Sequence, residues 1–195
     1  MIKTTKMLVN ELTQYANPTS RIRQLVLKGD IFPIVKGIYE TNGNLPGHLL
    51  SPVIYGQSYL SFEYALSHYS LIPEAVYVYT SATSDKRRTK QYHNHFGTYL
   101  YRDVPSYVFN LGVDYHIEQG YGYLLASPEK AICDMLYKRP PVNNRAEFEE
   151  MMFLDLRIDE GELLRLDLGK LLEIAQKYKT KNHKLLQAYV KRLMK

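Results

Sequence analysis

Four residues in the middle of the sequence are of the types that a metal-dependent nuclease uses. Asp114, Glu118 and Glu129 are carboxylates, and Lys130 follows directly after the last of them. Such an enzyme needs carboxylates that converge on a divalent cation beside a lysine. Glu129 and Lys130 are neighbours, however, so their side chains would leave a helix about 100° apart. The spacing therefore does not indicate nuclease chemistry, and helix capping and solvation explain these residues better.

Histidine and cysteine suggest no alternative site. His93 and His95 alternate along one face of a predicted strand, but no cysteine or suitably spaced carboxylate accompanies them as a zinc ligand. We expect surface histidines, and neither a metal nor a cofactor. Cys133 is the single cysteine, and it lies in an apolar helical segment where a thiol is usually inert packing.

Motifs for nucleotide binding and for a serine nucleophile are missing as well. The sequence contains no G-x-x-x-x-G-K-[ST] loop and no G-x-S-x-G turn. The segment 120–122 has only two glycines of a dinucleotide-binding fingerprint, and it predicts a hairpin turn. We therefore predict that the protein is not an enzyme and acts by binding to other molecules.

The distribution of charge indicates which partners suit the protein. The net charge is +5, with a basic block at 1–40, an acidic block at 147–162 and a basic block at 165–195. A basic surface permits nucleic-acid binding without requiring it. The densest cluster is a polar turn whose cations could clamp phosphates or an acidic partner, although a solvated loop is the default interpretation. Its members are Lys86, Arg87, Arg88 and Lys90.

Composition also bears on the cellular location. One cysteine cannot form a disulfide within the chain, which favours a reducing compartment. The first residues lack an apolar run of signal-peptide length, and no stretch is as long as a membrane span. We therefore expect a cytoplasmic protein that does not cross a membrane.

The first 40 residues predict a helix-turn-helix followed by a hairpin. One helix is predicted from Thr4 to Tyr15 and a second from Pro18 to Lys28, with a capping asparagine before the second and a glycine after it. Two short strands follow, Ile31–Val35 and Ile38–Glu40. This order is typical of a winged helix-turn-helix, here lacking its usual first helix and so truncated. A helical pair capped by a hairpin, with no nucleic acid bound, is the alternative.

The rest of the chain predicts a second domain of the α+β class. Residues 41–51 are predicted as a linker, and residues 52–195 as a domain with an antiparallel sheet and a helical C-terminal end from Ala146. Helices are predicted at Tyr59–Leu71 and Ser127–Tyr137, and strands at Ala75–Ser81, His95–Asp103, Tyr107–Val113, Tyr115–Gln119 and Tyr121–Leu125.

Four segments, in order, resemble the AbiEi family of antitoxins, the repressor half of AbiE-type toxin–antitoxin pairs. They are RIRQLVLKGDI at 21–31 with VKGIY at 35–39, SYLSFEYAL at 58–66 with HYSLIPE at 68–74, FGTYLYR at 96–102, and ASPEKAICDMLY at 126–137. The last is the most specific. Ser70 departs from the pattern, since a glycine is common there, and the N-terminal module is shorter than usual.

The resemblance implies a phage-defence antitoxin that neutralises a nucleotidyltransferase-like toxin and represses its own operon. It implies contact with operator DNA through the winged helix, and a second domain that supports repression and homodimer contacts on DNA. The DNA-facing residues implied by position are Arg21, Arg23, Gln24, Lys28 and Lys36. Two alternatives remain: a protein-interaction module that no longer binds DNA, and a nucleic-acid-processing enzyme.

Overall fold

The computed structural model describes all 195 residues, and the fold is mixed α+β with nine helices and two sheets. A three-stranded sheet belongs to the first 40 residues, and a six-stranded sheet belongs to the rest of the chain. None of the nine helices is both long enough and apolar enough to span a bilayer.

The N-terminal unit is a small sheet with two helices packed on it. Its elements are β1 (Ile2–Thr4), α1 (Thr5–Glu11), α2 (Pro18–Lys28), β2 (Phe32–Val35) and β3 (Ile38–Glu40). The sheet is antiparallel, with β3 between β1 and β2. The prediction for α2 and the hairpin is confirmed, whereas the first helix ends at Glu11 and not at Tyr15.

Local chemistry explains the bounds of α2. The side chain of Asn17 accepts a hydrogen bond from the Ser20 amide, and Pro18 occupies the first turn, where a missing amide costs nothing. Gly29 ends the helix with a φ of 74°, a left-handed conformation that glycine adopts without strain. The apolar face of α2 packs through Ile22 against Leu8 of α1 and Ile31.

The segment 41–51, predicted as a linker, packs against the larger unit. It contains a short 3-10 turn at Gly47–Leu50, and its leucines at 45, 49 and 50 are buried in the main core. Glu40, at the end of β3, is fully buried and accepts hydrogen bonds from the backbone amides of Thr41 and Asn42 and from the Tyr121 hydroxyl. The N-terminal sheet is therefore joined to the larger sheet by buried contacts.

The larger sheet is mixed, which corrects the predicted antiparallel sheet. Its strand order is β6-β7-β5-β4-β9-β8, with the pairs β5–β7 and β4–β9 parallel and the other pairs antiparallel. Strands β6 and β7 form an antiparallel hairpin, and β7 lies between β6 and β5. Strands β5 and β7 run in the same direction. The six strands are β4 (Ser58–Leu60), β5 (Val78–Ser84), β6 (Lys90–Asn94), β7 (Gly97–Val104), β8 (Val113–Glu118) and β9 (Tyr121–Ala126).

Three predicted elements of this unit need correction. The helix expected at Tyr59–Leu71 begins only at Phe62, because the residues before it form the central strand β4. The strand expected at Ala75–Ser81 lies at Val78–Ser84, and the strand expected at Tyr107–Val113 is replaced by a 3-10 turn over Ser106–Val108. The β8–β9 hairpin is confirmed. Short apolar runs favour helix and strand alike, so periodicity alone cannot separate them.

The helices form the second layer, with α5 at its centre. Ser127 caps α5 by accepting a hydrogen bond from the Lys130 amide, as predicted, and every residue from Glu129 to Leu136 is buried. The hairpin of α8 and α9 packs on α5. The seven helices after the N-terminal unit are α3 (Ser51–Ile54), α4 (Phe62–His68), α5 (Pro128–Tyr137), α6 (Arg145–Glu150), α7 (Glu160–Leu164), α8 (Leu168–Lys177) and α9 (Lys181–Leu193).

Candidate nucleic-acid interface

The predicted DNA-facing residues of α2 lie on two flanks of the helix. Arg21, Gln24 and Lys28 are spaced by three and four residues, so they share one flank. Arg21 donates a hydrogen bond to the Gln24 amide oxygen at 3.1 Å, and its guanidinium lies 5.1 Å from the centre of the Tyr15 ring. These contacts orient Arg21 while leaving its charge without a carboxylate partner.

Arg23 and Lys36 lie on the opposite flank. Both line a groove of about 360 Å³ between α2 and the β2–β3 hairpin, together with Thr19. Neither forms an ion pair, and Lys28 on the first flank forms none either. With Arg21, four unpaired cations on α2 and the adjacent hairpin are available for an anionic partner.

Between the two flanks runs an exposed ridge formed by Ser20 and Leu27, with Gln24 at the border of the first flank. Leu27 is 78% exposed, which is unusual for a leucine in a helix that packs on a core. A helix with its side chains is about 10–12 Å across, and the DNA major groove is about 12 Å wide. A ridge of polar and apolar side chains between two basic flanks has the arrangement needed to contact base edges between two phosphate backbones.

The predicted basic turn, 86–90, does not act as one cluster. The ammonium of Lys86 lies 5.7 Å from the centre of the Tyr55 ring, and Lys90 belongs to β6 opposite Tyr101. Only Arg87 and Arg88 line the neighbouring cleft. The structure therefore divides these four cations between separate surfaces.

The residues considered for nuclease chemistry are not brought together. Asp114 is exposed on β8, and Glu118 of the same strand pairs with His48. Glu129 accepts a hydrogen bond from the Ser127 hydroxyl and lies 3.3 Å from the Lys170 ammonium. No group of three or more histidine, cysteine or carboxylate side chains in the chain is arranged to hold a metal ion.

Solvation was the wrong explanation for Lys130, whose side chain is fully buried. Its ammonium lies 3.0 Å from an Asp134 carboxylate oxygen, and it donates hydrogen bonds to the Val108 carbonyl and the Tyr178 hydroxyl. Asp134 also accepts hydrogen bonds from the hydroxyls of Tyr59, Ser61 and Tyr178. Burial, and then the Asp134 charge, hold the pKa of Tyr59 well above its usual value. All these groups are enclosed, so the network stabilises the fold and offers no surface for a substrate.

A sequence signal for this network exists in the spacing of Lys130 and Asp134. Opposite charges four residues apart on a helix face each other, and here they occur within an otherwise apolar segment. Cys133, next to Asp134, is fully buried, and burial raises the pKa of its thiol. The expectation that Cys133 packs in the core is confirmed.

Three histidines, His48, His68 and His116, lie around the rings of Tyr64 and Tyr123 in a cluster that the sequence did not reveal. The His48 ring nitrogen Nε2 lies 3.0 Å from Glu118, and Tyr64 lies between the rings of His48 and His68. Burial lowers the pKa of His68, and the nearby His48 and His116 lower it further. These histidines come from three distant segments, so no local spacing could have predicted their contact.

His93 and His95 do not form a ligand pair. His93 contacts the Thr98 hydroxyl at 3.0 Å, and His95 contacts the Gly43 carbonyl at 2.9 Å. Both are exposed, as expected for surface histidines.

A second exposed surface lies on the edge strand of the large sheet. Tyr115 and Ile117 of β8 are 65% and 69% exposed, and Leu124 of β9 lies beside them. The Tyr115 ring lies across Gly122, where a Cβ would meet its hydroxyl at 2.1 Å. Apolar side chains on an unpaired sheet edge are typical of a protein-interaction surface. We refer to Tyr115, Ile117 and Leu124 as the β8 patch.

No protein-family model matches the chain, and no curated protein matches it.

Proposed function

We propose that the protein is the antitoxin of an AbiE-type toxin–antitoxin pair. In this proposal it acts in the cytoplasm, represses its own operon by binding operator DNA, and neutralises a nucleotidyltransferase-like toxin. The four segments that resemble AbiEi antitoxins support the proposal from the sequence. They span residues 18–137 in order, and the most specific of them is the segment that forms α5.

The observation that carries the DNA-binding half is the distribution of cations around α2. Arg21 and Lys28 lie on one side of an exposed ridge, and Arg23 and Lys36 lie on the other. In a winged helix-turn-helix, the second helix of the pair enters the major groove and the hairpin contacts the backbone. We assign α2 to the groove, its two flanks to the phosphates on either side, and Lys36 of the hairpin to the backbone.

The arrangement of the small sheet supports this assignment. The hairpin is held in place by β1, whose register with β3 pairs Ile2 with Glu40 and Thr4 with Ile38. Thr5 then donates from its backbone amide to the Gly37 carbonyl in the hairpin turn at 2.9 Å. These contacts tie the hairpin, through β1 and the start of α1, to the helix pair, and so hold Lys36 in its place beside α2.

The observation that carries the protein-binding half is the β8 patch. Its side chains are apolar and exposed, two on the edge strand β8 and one beside them on β9, so a partner that covers them gains burial of nonpolar surface. We assign the patch to the toxin. The same patch favours the second candidate function, a protein-interaction module without DNA binding.

A growth assay tests neutralisation of the toxin by itself. The open reading frame adjacent to this gene is expressed alone and then with this protein from an unrelated promoter, so that repression cannot account for rescue. Toxicity that co-expression relieves is the expected result. A harmless neighbour, or toxicity without relief, would contradict the antitoxin assignment.

The DNA-binding half is tested with the purified protein and the region upstream of its own gene. We expect a complex whose affinity falls steeply with salt, because phosphate contacts release counterions. Relief of toxicity without any such complex would favour the second candidate.

A further inference from the structure

A basic cleft lies on the larger unit, away from α2. It has a volume of about 620 Å³ and is formed where three segments meet. Arg87 and Arg88 come from the turn after β5, Tyr107 from the 3-10 turn after β7, and Tyr137 and Lys138 from the end of α5. Clefts of roughly 300–1,000 Å³ are the size that small ligands occupy.

The cations of this cleft are free to bind an anion. Arg87, Arg88 and Lys138 form no ion pair in the structure. Two carboxylates, Asp85 and Asp103, also line the cleft. Asp103 is half-buried and accepts hydrogen bonds from the backbone amides of Lys86 and Arg87 at 3.0 and 2.9 Å. Those bonds hold the turn that presents the two arginines, and the three cations Arg87, Arg88 and Lys138 outnumber the two carboxylates of the cleft.

The charge of Lys138 also favours an anionic ligand. Burial is the largest cause and lowers the pKa of Lys138; Asp103 opposes it, Arg102 lowers the pKa further, and Asp134 raises it. The charged form of a partly desolvated lysine is stabilised when an anion binds next to it.

Aromatic rings lie beside these cations. Tyr107 is 54% exposed, and the ammonium of Lys179 lies 5.2 Å from the centre of its ring. The Lys138 ammonium lies 5.2 Å from the centre of the Tyr137 ring. Tyr137 is half-buried, so Tyr107 is the ring that a ligand can reach. An exposed aromatic ring in the same cleft as arginine and lysine is the combination that holds an unpaired base together with its phosphate.

We propose that this cleft binds a nucleotide, with the phosphates contacting Arg87, Arg88 and Lys138 and the base stacking on Tyr107. Paired bases in a duplex have no free face for such a ring, so the ligand is a free nucleotide or an unpaired nucleotide of a single strand. This site goes beyond the proposed antitoxin function and does not depend on it, because none of its residues belongs to α2, the hairpin or the β8 patch.

Titration calorimetry on the purified full-length protein tests the proposal with three probes: ADP, inorganic pyrophosphate and a short oligothymidylate. The double variant Arg87→Gln/Arg88→Gln removes phosphate contacts, Tyr107→Leu removes the stacking ring, and Lys184→Gln/Lys191→Gln is the matched control on the exposed side of α9. The oligonucleotide titration is repeated with the variant Arg23→Gln/Lys36→Gln, which lacks the groove cations beside α2. Binding that this variant retains does not come from that groove.

We expect ADP to bind and the double arginine variant to weaken its binding by about tenfold or more, the effect of losing a charge-assisted hydrogen bond. Tyr107→Leu should weaken the binding of ADP and leave that of pyrophosphate unchanged. Stronger binding of ADP than of the oligonucleotide would identify a free nucleotide as the ligand, and the reverse would identify a single strand.

Three results would overturn the proposal. The first is that neither ADP nor the oligonucleotide binds. The second is that the α9 control weakens ADP binding as much as the arginine variant, which would indicate nonspecific ionic attraction. The third is that pyrophosphate binds as tightly as ADP and Tyr107→Leu changes neither, which would indicate a simple anion site. Lys138→Gln repeats the phosphate test if the double arginine variant does not fold, as judged by thermal unfolding.

Discussion

Lys130 and Asp134 form the only ion pair in the protein in which both side chains are fully buried. Removing two charges from water is costly, and the pair is tolerated because each charge has further partners. The ammonium has the Val108 carbonyl and the Tyr178 hydroxyl, and the carboxylate has three hydroxyl donors. The network joins α5 to β4 and to the segment before α9, so it connects both layers of the larger unit.

Removing one partner of this pair should be strongly destabilising. We expect Lys130→Met to lower the free energy of unfolding by roughly 3–5 kcal/mol, because Asp134 would remain buried without its counter-charge. The matched control Lys184→Met changes an exposed lysine and should cost less than about 0.5 kcal/mol. Urea unfolding measures both values, and a similar small loss in the two variants would contradict the structural role assigned to Lys130.

His183 makes the stability of the protein depend on pH. Its ring is stacked on Tyr178 with 4.2 Å between the ring centres, and its Nε2 lies 2.9 Å from the Cys133 carbonyl. Burial lowers its pKa from the usual 6.5 to about 4. Below pH 6.5 the unfolded chain therefore binds a proton that the folded protein does not bind, and the free energy of unfolding falls as the pH falls towards 4.

In that pH range we expect the free energy of unfolding to fall by up to about 1.4 kcal/mol per pH unit because of His183. Urea titrations between about pH 7 and pH 5 measure the slope, above the range in which most carboxylates titrate. His183→Gln should remove most of it. The pKa of His68 is lowered as well, so His68→Asn should remove a smaller part. An unchanged slope in His183→Gln would show that another group is responsible.

At the scale of elements, α2 and the hairpin are the parts that the sequence predicted best. Their signals are local: a capping asparagine, a proline in the first turn, a glycine at the end and a two-residue turn between strands. Strand β4 was missed because Ser58, Tyr59 and Leu60 are all buried, so the alternation that marks a half-exposed strand is absent.

The two flanks of α2 should contribute equally to the salt dependence of DNA binding. Each phosphate contact adds about 0.9 to the log–log slope. Arg21→Gln/Lys28→Gln and Arg23→Gln/Lys36→Gln should therefore each reduce the slope by about two and weaken binding on every sequence. Fluorescence anisotropy at several salt concentrations measures the affinity and its log–log slope, with Lys184→Gln/Lys191→Gln as the control. A change confined to one flank would mean that α2 lies against the DNA on that side only.

At the scale of the molecule, the N-terminal unit is joined to the large sheet at two separated points. Asn94, at the end of β6, donates to the Ile34 carbonyl at 3.0 Å, and Tyr121, at the start of β9, donates to Glu40 at 2.7 Å. Strand β8 pairs with β9 along one edge, and the other edge of β8 is unpaired. The surface proposed for DNA and the surface proposed for the toxin therefore belong to different units.

Variants of the β8 patch should separate the two activities. We expect Tyr115→Glu/Ile117→Glu to abolish relief of toxicity and to leave DNA binding unchanged, because charges placed in an apolar interface are costly to bury. Tyr77→Glu/Leu154→Glu is the matched control, since these two apolar residues are 86% and 70% exposed elsewhere. Full relief by the patch variant would remove the patch from the toxin interface.

The alternative to a toxin at the β8 patch is a second copy of this chain. Sedimentation of the wild-type protein and of Tyr115→Glu/Ile117→Glu distinguishes these two occupants. A wild-type dimer that the double glutamate change converts to a monomer would assign the β8 patch to a second copy of the chain and not to the toxin.

The sequence by itself determined the features that depend on neighbouring residues. The caps of α2 and α5, the β2–β3 and β8–β9 hairpins and the burial of Cys133 follow from spacing and local propensity. Tertiary structure decided the features that join distant residues. These are the parallel strand pairs, the network around Lys130 and Asp134, the three-histidine cluster, and the division of the cations at 86–90 between separate surfaces. The reason is that strand order and side-chain contact depend on how the elements pack, and packing is set by burial across the whole chain and not by any local pattern.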